Sequence, residues 1–129
     1  MKRFTLSRQE RLSSLKDIDL LFTQGKSFVR YPVRLIYQSV TREDKTPASV
    51  VFSASKKKFP RAVDRNRIKR LLRESYRLIK PEFYDKIPEG MSFHIGLVYV
   101  AAQILDLPSI QNSLRIALER LINESRDTT

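Results

Sequence analysis

The chain has 129 residues, of which 41% are hydrophobic and 30% are charged, and it contains no cysteine. This length and composition fit one domain with a single core, and they exclude a disulfide scaffold and any metal site built on cysteine. Lys and Arg together number 25 against 14 acidic residues, so the formal net charge is +11. Such an excess indicates a polyanionic partner, with nucleic acid ahead of an anionic membrane surface.

No segment of the sequence predicts export or insertion into a membrane. Charged residues follow the N-terminus before any apolar run, unlike the pattern of a secretory signal. The uncharged apolar stretch from Met91 to Leu105 is shorter than the ~18 residues of a membrane span. We therefore expect a soluble, cytoplasmic protein that does not bind membranes.

The beginning of the chain predicts an arm and a short helix. Residues 1–13 are polar and basic, which is typical of an extended arm. Ser14 and Asp17 have the spacing of a capping box, and Gly25 is placed to end a helix, so we predict a helix from Leu15 to Gln24. Four apolar side chains share one of its faces: Leu15, Ile18, Leu21 and Phe22.

Two segments rich in β-branched and aromatic residues follow this helix. Pro32 interrupts the first segment, which predicts a short edge piece beginning near Phe28 and then a strand from Val33 to Val40. A second strand is predicted over Ala48 to Ser55. We expect the two longer strands to pair as an antiparallel hairpin.

The next segments predict a basic helix and a buried strand. Pro60 can begin a helix that continues to about Lys80, where Pro81 is expected to end it. Residues 92–101 are almost wholly apolar, which is typical of a strand at the centre of a sheet. A strand, a crossover helix and a strand within residues 48–101 imply a parallel pair.

The last segment predicts a helix opened by Asp106 and Pro108, and residues 125–129 are expected to be a frayed tail. We therefore predict a single α+β domain over residues 1–129, with a mixed sheet, helices packed against it and the order αβββαβα. The core stripe of the last helix comprises Leu107, Ile110, Leu114, Ala117, Leu118 and Leu121.

Residues 56–80 hold most of the excess positive charge. Of these 25 residues, 11 are Lys or Arg and two are acidic, Asp64 and Glu74, so the segment carries +9 of the chain's +11. At 100° per residue, the apolar side chains of the helix share one side. The other side collects Asn66, Lys69, Arg70, Arg73, Arg77 and Lys80, with Arg65 and Arg67 flanking the apolar stripe.

This one-sign face predicts that the helix follows a phosphate backbone. Its cations form a row about 20 Å long, at ~1.5 Å per residue. Lys56, Lys57 and Lys58 lead into the helix start, where free N–H groups favour anions. The alternative is an ordinary solvated face, but such faces alternate signs to form i,i+4 pairs. About six neutralised phosphates predict a slope of roughly −4 to −5 for log K against log salt.

The run AVDRNRIKRLLRES (Ala62 to Ser75), preceded by FSASKKKFPR, closely resembles the signature of the bacterial ribonuclease P protein subunit. That signature is an Arg-Asn-Arg motif followed by Lys-Arg and a further Arg on one helix. The matching residues are Arg65, Asn66, Arg67, Lys69, Arg70 and Arg73, and the likeness extends from about Phe4 to Leu121. Looser matches lie upstream at Arg11, Leu12, Asp17, Phe22, Gly25 and Tyr37.

The resemblance implies a fold like ribosomal protein S5 domain 2, with a four-stranded mixed sheet and a left-handed βαβ crossover. General rules favour a right-handed crossover, so this element follows from the resemblance alone. The resemblance also implies the protein subunit of an enzyme that removes the 5′ leader of precursor tRNA. Catalysis then resides in an RNA subunit, which holds most of the Mg²⁺. We expect the protein alone to be monomeric.

The resemblance also implies two sets of binding residues. The basic helix, including Arg77, would bind the catalytic RNA. A cleft between the first helix and the sheet would hold the leader, with Phe22 and Tyr37 as its aromatic lining and Lys56 and Lys57 nearby. Family members often carry an aromatic residue one turn before Phe22. This chain has Ile18 there, which offers van der Waals contact but no ring for stacking.

Other functions and roles stay open at this point. A catalytic protein needs metal-binding carboxylates or a histidine acid–base pair, and the one histidine, His94, lies in an apolar strand. Phe22 and Tyr37 could each be core residues. A ribosomal or ribosome-assembly protein would carry similar charge. A DNA-binding module is the remaining class, although strands flank the basic helix where a helix-turn-helix would need another helix.

Overall fold

A computed structural model describes residues 6–127, without the side chain of Asp127. A single 3₁₀ turn at Arg8–Glu10 precedes three helices and four strands. Their bounds are α1 Leu15–Gln24, β1 Lys26–Arg30, β2 Val33–Val40, β3 Ala48–Ala54, α2 Ala62–Lys86, β4 Ser92–Tyr99 and α3 Leu107–Asp127. The fold is α+β, as the sequence predicts, because α1 packs on one face of the sheet and α2 and α3 pack on the other.

The four strands lie in the order β1-β2-β4-β3. Strand β2 is antiparallel to β1 and to β4, whereas β3 is parallel to β4. The predicted parallel pair and the central place of β4 are confirmed, and the predicted hairpin of β2 with β3 is wrong. No residue of β4 is exposed, so this strand needs a neighbour at each edge, and it separates β2 from β3. The hand of the β3–α2–β4 crossover stays a prediction.

Helix α2 does not end at Pro81, contrary to the prediction. It continues to Lys86, and Pro81 lies inside it. Proline removes one backbone hydrogen bond, but tertiary packing of the following turn compensates for that loss. Phe83 is 2% exposed in the main core, and the Tyr84 hydroxyl reaches the N-terminal arm.

The limits predicted for α1 are confirmed. The Ser14 Oγ accepts a hydrogen bond from the Asp17 backbone N–H at 3.3 Å, which caps the helix. Gly25, which follows the last residue of the helix, has a φ of −72° that any residue can adopt. Glycine is therefore required there for a steric reason and not for its backbone freedom. A Cβ at Gly25 would lie 2.5 Å from the Leu21 carbonyl oxygen, so any side chain there would force the chain apart.

The two chain ends are more ordered than the sequence suggests. Within the predicted arm, Leu6 and Leu12 are each 8% exposed, and Arg11 forms a parallel bridge with Val50 of β3. Helix α3 passes through the predicted tail as far as Asp127, with Ser125 5% exposed. Apolar anchors explain both corrections. The rest of the predicted arm and tail, residues 1–5 and 128–129, lies outside the described residues.

A buried ionic cluster of Glu10, Lys80 and Tyr84 (the Glu10 cluster) fastens the arm to α2. Lys80 Nζ lies 3.0 Å from Glu10 Oε2, and the Tyr84 hydroxyl donates to the same carboxylate at 2.5 Å. Burial raises the pKa of Glu10, but hydrogen bonds from Tyr84, Ser7 and Lys80 outweigh it and hold that pKa below its usual value of 4.5. The sequence placed Lys80 with the exposed cations. It is instead 4% exposed, because the arm covers that side of α2.

The Glu10 cluster predicts a specific stability profile. Lys80→Met leaves a buried carboxylate without its cation and should lower the free energy of unfolding by about 3 kcal/mol. Because folding lowers the pKa of Glu10, its contribution is present above pH 4.5 and is lost as the pH falls through the folded value. Glu10→Gln should remove that part of the acid dependence. Urea unfolding between pH 7 and pH 3 measures both effects.

The ion pair of Lys86 with Glu119 provides the control, because both side chains are about half exposed, at 47% and 51%. Lys86→Met should change the free energy of unfolding by less than about 1 kcal/mol. If Lys80→Met behaves like Lys86→Met, the Glu10 cluster does not stabilise the fold.

Candidate nucleic-acid interface

Helix α2 presents a row of cations opposite the face that it buries. Its buried face includes Ile68, Leu72 and Ile79, all at most 1% exposed. Along the outer surface, Asn66, Arg67, Arg70 and Arg73 are exposed, and Arg65, Lys69 and Arg77 are partly exposed. The predicted division of the helix into an apolar and a basic side is therefore confirmed, with Lys80 as the exception.

Two of the predicted RNA-binding cations already have partners within the chain. Arg65 Nη1 donates to the carbonyl oxygens of Phe59 and Pro60 at 2.9 and 2.8 Å, which fastens the loop before α2. Arg77 forms an ion pair with Glu74 at 2.5 Å. Part of the binding capacity of both groups is therefore used inside the protein.

The remaining four cations form the α2 stripe: Arg67, Lys69, Arg70 and Arg73. Within residues 6–127, none of them lies within 4 Å of a carboxylate. The guanidinium carbon of Arg73 lies 5.9 Å from the centroid of the Phe52 ring, a cation–π distance that holds the side chain against β3. A row of like charges without acids repels itself and favours an anionic partner.

A second candidate surface, the α1 cleft, lies where α1 crosses the sheet. Phe22 of α1 is a large aromatic residue whose ring contacts the sheet, yet it is 43% exposed. Its ring rests on Gly96 of β4, since a Cβ built there would lie 2.9 Å from Phe22 Cε1. Gly96 therefore lets the ring lie against the sheet with one side open to solvent. Such a ring can stack on a base.

The residue one turn earlier contributes to the floor of the same cleft. Ile18 is partly buried and packs on a small cluster of Leu12, Leu21 and Ile36. Val51 and Val98 complete this apolar surface beside Gly96, their neighbour in the sheet. The structure thus brings Ile18 and Phe22 together, as the sequence predicts.

Tyr37 does not belong to the α1 cleft, contrary to the prediction. Successive residues of a strand face opposite sides of a sheet, and Ile36 is the residue that faces α1. Tyr37 is 4% exposed in the main core, where its hydroxyl donates to Glu124 Oε1 at 2.9 Å. Burial, with this hydrogen bond, raises the pKa of Tyr37 to about 12. A ring held in this way cannot stack on a bound strand.

The lysines before α2 lie in the loop that leaves β3. Lys56 and Lys57 are exposed, and the backbone N–H of Lys57 donates to Ser55 Oγ at 3.1 Å, which tightens the turn. Lys58 Nζ donates to the carbonyl oxygen of Val100. Lys56 and Lys57 thus present charge beyond the end of β3, the strand that pairs with β4, and the Phe22 ring lies against Gly96 of β4.

His94, the one histidine of the chain, is partly buried on β4. Burial lowers the pKa of His94, with the Asp17 carboxylate opposing that shift and the Arg42 guanidinium adding to it. Residues 6–127 contain no cluster of three His, Cys, Asp or Glu side chains that could hold a metal ion. A Mg²⁺ site of three protein ligands is therefore not present in this part of the chain, whereas a site shared with RNA phosphates would need only one or two carboxylates. No helix within it is long and apolar enough to cross a membrane.

Comparison with known proteins identifies the family. The family model described as ribonuclease P matches residues 6–122. The ribonuclease P protein component of Porphyromonas gingivalis is 36% identical over 119 residues, which cover 92% of this chain and 87% of that protein. The chain belongs to the ribonuclease P protein family. The corresponding component of Chlorobium phaeobacteroides is 34% identical over 131 residues, covering 95% and 88% of the two chains.

Solved structures of ribonuclease P proteins share the fold. The protein from Thermotoga maritima has a TM-score of 0.68 at 24% identity, covering 86% of this chain and 96% of its own. The protein from Staphylococcus aureus has a TM-score of 0.67 at 23% identity, covering 87% and 94%. As a ribonuclease P protein component, the chain is part of a tRNA-processing endoribonuclease, and its partner is the RNA subunit of that enzyme.

Three features of the ribonuclease P surfaces were missed from the sequence. Gly96 carried a usable signal, because a glycine inside an apolar strand often marks a close approach. For Arg11, the sequence offers only a looser match to the family pattern. The pairing of Glu10 with Lys80 carried no local signal, because 70 residues separate the two along the chain.

The different burial of Phe22 and Tyr37 predicts losses of stability of different size. Phe22→Ala should lower the free energy of unfolding by less than about 1.5 kcal/mol, because the ring is already partly in water. Tyr37→Ala should lower it by about 3 kcal/mol or more, because a core ring is lost. Tyr37→Phe, which removes only the hydrogen bond to Glu124, should cost about 1 kcal/mol. Chemical unfolding of the three variants measures this order, and a larger loss for Phe22→Ala would place that ring in the core.

Proposed function

We propose that this chain binds the catalytic RNA of ribonuclease P through the α2 stripe and the 5′ leader of precursor tRNA through the α1 cleft. By doing so it promotes removal of the leader at low Mg²⁺. The observation that carries this proposal is the row of cations on α2, which has no carboxylate within 4 Å in the described chain. Family membership supports the RNA subunit as the partner of that row.

The α2 stripe suits a phosphate backbone for two reasons. Arg67 and Arg70 are exposed on a helix whose other side is packed in the core. The helix is therefore already ordered, and its backbone loses little conformational entropy when RNA binds. The arginine fork also matches phosphate geometry. With four cations free of internal ion pairs, the expected slope of log K against log salt is roughly −3, at 0.7–0.9 per phosphate. This is shallower than the slope predicted from the sequence, because Arg65 and Arg77 have internal partners.

The α1 cleft suits a single strand of variable sequence. The open side of the Phe22 ring provides stacking that any base can use, at ~1–3 kcal/mol per base. Ile18 adds apolar contact without stacking, so Phe22 is the one aromatic platform that we assign to the leader. Lys56 and Lys57 would neutralise leader phosphates beyond the end of β3.

In this proposal the protein contributes binding and the RNA contributes chemistry. Mg²⁺ held mainly by the RNA would activate the attacking water there. The cations of the protein neutralise RNA phosphates, so fewer Mg²⁺ ions are needed to bring catalytic RNA and substrate together. We further expect the protein to be monomeric when free and to act in the cytoplasm.

A reconstitution experiment tests the role of the α2 stripe. Arg67→Gln/Arg70→Gln should flatten the salt slope of catalytic RNA binding by about 1.5, because two phosphate contacts are lost. The same variant should lose most stimulation of single-turnover cleavage of precursor tRNA at low Mg²⁺ and recover it at high Mg²⁺. Filter binding across a salt series and cleavage with cognate catalytic RNA provide the two measurements.

Arg115→Gln is the matched control, because Arg115 lies on α3 and pairs with Glu82 at 3.1 Å. It removes one positive charge from another surface, where the α2 variant removes two, and it should leave both measurements near wild type. An unchanged salt slope in the α2 variant, or an equal change in the control, would contradict the proposal.

The α1 cleft is tested by comparing two ligands of the holoenzyme. Phe22→Ala should weaken the binding of leader-bearing precursor by roughly tenfold, because one stacking contact is lost. It should leave the affinity for mature tRNA unchanged, since mature tRNA has no leader. Phe22→Tyr keeps an aromatic platform and should retain most of the affinity. Equal losses for both tRNAs in Phe22→Ala would show that the ring acts through the fold.

A further inference from the structure

A third surface, the arm groove, lies between the N-terminal arm, the outer edge of β3 and helix α2. It encloses about 360 Å³. Its lining residues are Arg11, Leu12, Val50, Val51, Phe52, Lys69 and Arg73. The groove therefore shares Lys69 and Arg73 with the α2 stripe. It adds Arg11, a residue from a distant part of the chain.

The charges around the arm groove are of one sign. Arg11, Lys69 and Arg73 line it, and no acidic residue does. Val51 and Phe52 supply an apolar floor, on which the guanidinium of Arg73 already rests. Three cations around a small groove repel one another, so an anion of matching size would bind there and relieve that repulsion.

Arg11 is held near Lys69 and Arg73, against the repulsion of their charges, by contacts of the residues on either side of it in the chain. On one side, the backbone N–H of Leu12 donates to the carbonyl oxygen of Val50 at 3.0 Å. On the other side, Glu10 is fixed to α2 by the Glu10 cluster. The arginine itself donates from Nη2 to the carbonyl oxygen of Leu6 at 3.3 Å. The groove is thus formed before any ligand arrives, and a free arm would move Arg11 away from the other two cations.

We propose that Arg11 binds one backbone phosphate of the catalytic RNA in the arm groove, next to the phosphates bound by Lys69 and Arg73, and that Glu10, through Lys80 and Tyr84, is the positioning residue that holds Arg11 in place. The proposal rests on the proposed docking of catalytic RNA on α2, which it extends onto the arm. Catalytic RNA is the assigned occupant because two of the three cations belong to the α2 stripe and the groove is continuous with it.

Arg11→Gln should weaken the binding of catalytic RNA by about three- to tenfold at 0.15 M salt. It should also flatten the salt slope by about 0.7–0.9, the effect of one phosphate contact. Arg11→Lys retains the charge and should retain most of the slope. Arg8→Gln is the matched control, because Arg8 is exposed on the same arm and does not line the groove, and its slope should equal that of wild type.

A double-mutant cycle tests the role of Glu10. Glu10→Gln should flatten the salt slope as Arg11→Gln does, and the double variant should show no further loss, because both changes remove the same contact. A purely structural role for Glu10 would lower stability without changing the slope. Phosphate-ethylation interference on the catalytic RNA then locates the contact, as a position that is sensitive with the wild-type protein and insensitive with Arg11→Gln.

The outcomes separate this inference from the proposed function. If Arg67→Gln/Arg70→Gln flattens the slope and Arg11→Gln does not, the α2 assignment stands and the arm groove is not a phosphate site. If neither variant changes the slope, both proposals fail. Two other outcomes would also overturn the assignment of the groove to catalytic RNA. In the first, Arg11→Gln weakens only the binding of leader-bearing precursor at saturating protein. In the second, Arg8→Gln flattens the salt slope of catalytic RNA binding as much as Arg11→Gln does.

Discussion

The burial of strand β4 on both of its faces is the constraint on which the other features depend. No residue of this strand is exposed, so helices must cover the sheet on both sides and strands must flank it at both edges. Helices α2 and α3 cover the face that carries Phe93, Ile95, Leu97 and Tyr99. Helix α1 is short and covers only part of the other face, and the uncovered part beside Gly96 becomes the α1 cleft. The same packing fixes the apolar side of α2 in the core, which turns its basic side outward.

Electrostatics divide the cations of this ribonuclease P protein into two groups. Lys80, Arg65 and Arg77 have partners inside the protein and stabilise the arm, a loop and the helix itself. The α2 stripe has no carboxylate partner in the described chain, and it is the part of the basic helix that we propose for RNA binding. The buried Glu10 cluster connects these groups, because it brings the arm, with Arg11, to the edge of the α2 stripe.

Local sequence patterns determined several elements of the fold and the interface. Ser14 and Gly25 predicted the two ends of α1, because each acts on a residue three or four positions away in the chain. Ser14 caps the backbone N–H of Asp17, and Gly25 lies against the carbonyl oxygen of Leu21. The basic side of α2 followed from helical periodicity, which needs no knowledge of the rest of the fold. The apolar run of β4 predicted a central strand for the same reason. The resemblance of the Arg65 to Arg73 segment to a known signature predicted the family, which the comparisons confirm.

The tertiary structure alone decided the features that depend on distant partners. Ile36 and Tyr37 alternate across the sheet whichever helix covers each face, so only the packing of α1 shows that Tyr37 lies in the core. Helix α2 passes Pro81 because contacts made by Phe83 and Tyr84 outweigh one lost hydrogen bond. Lys80 is buried because Glu10 covers it. No local pattern could show this, since a contact across 70 residues exists only once the chain has folded.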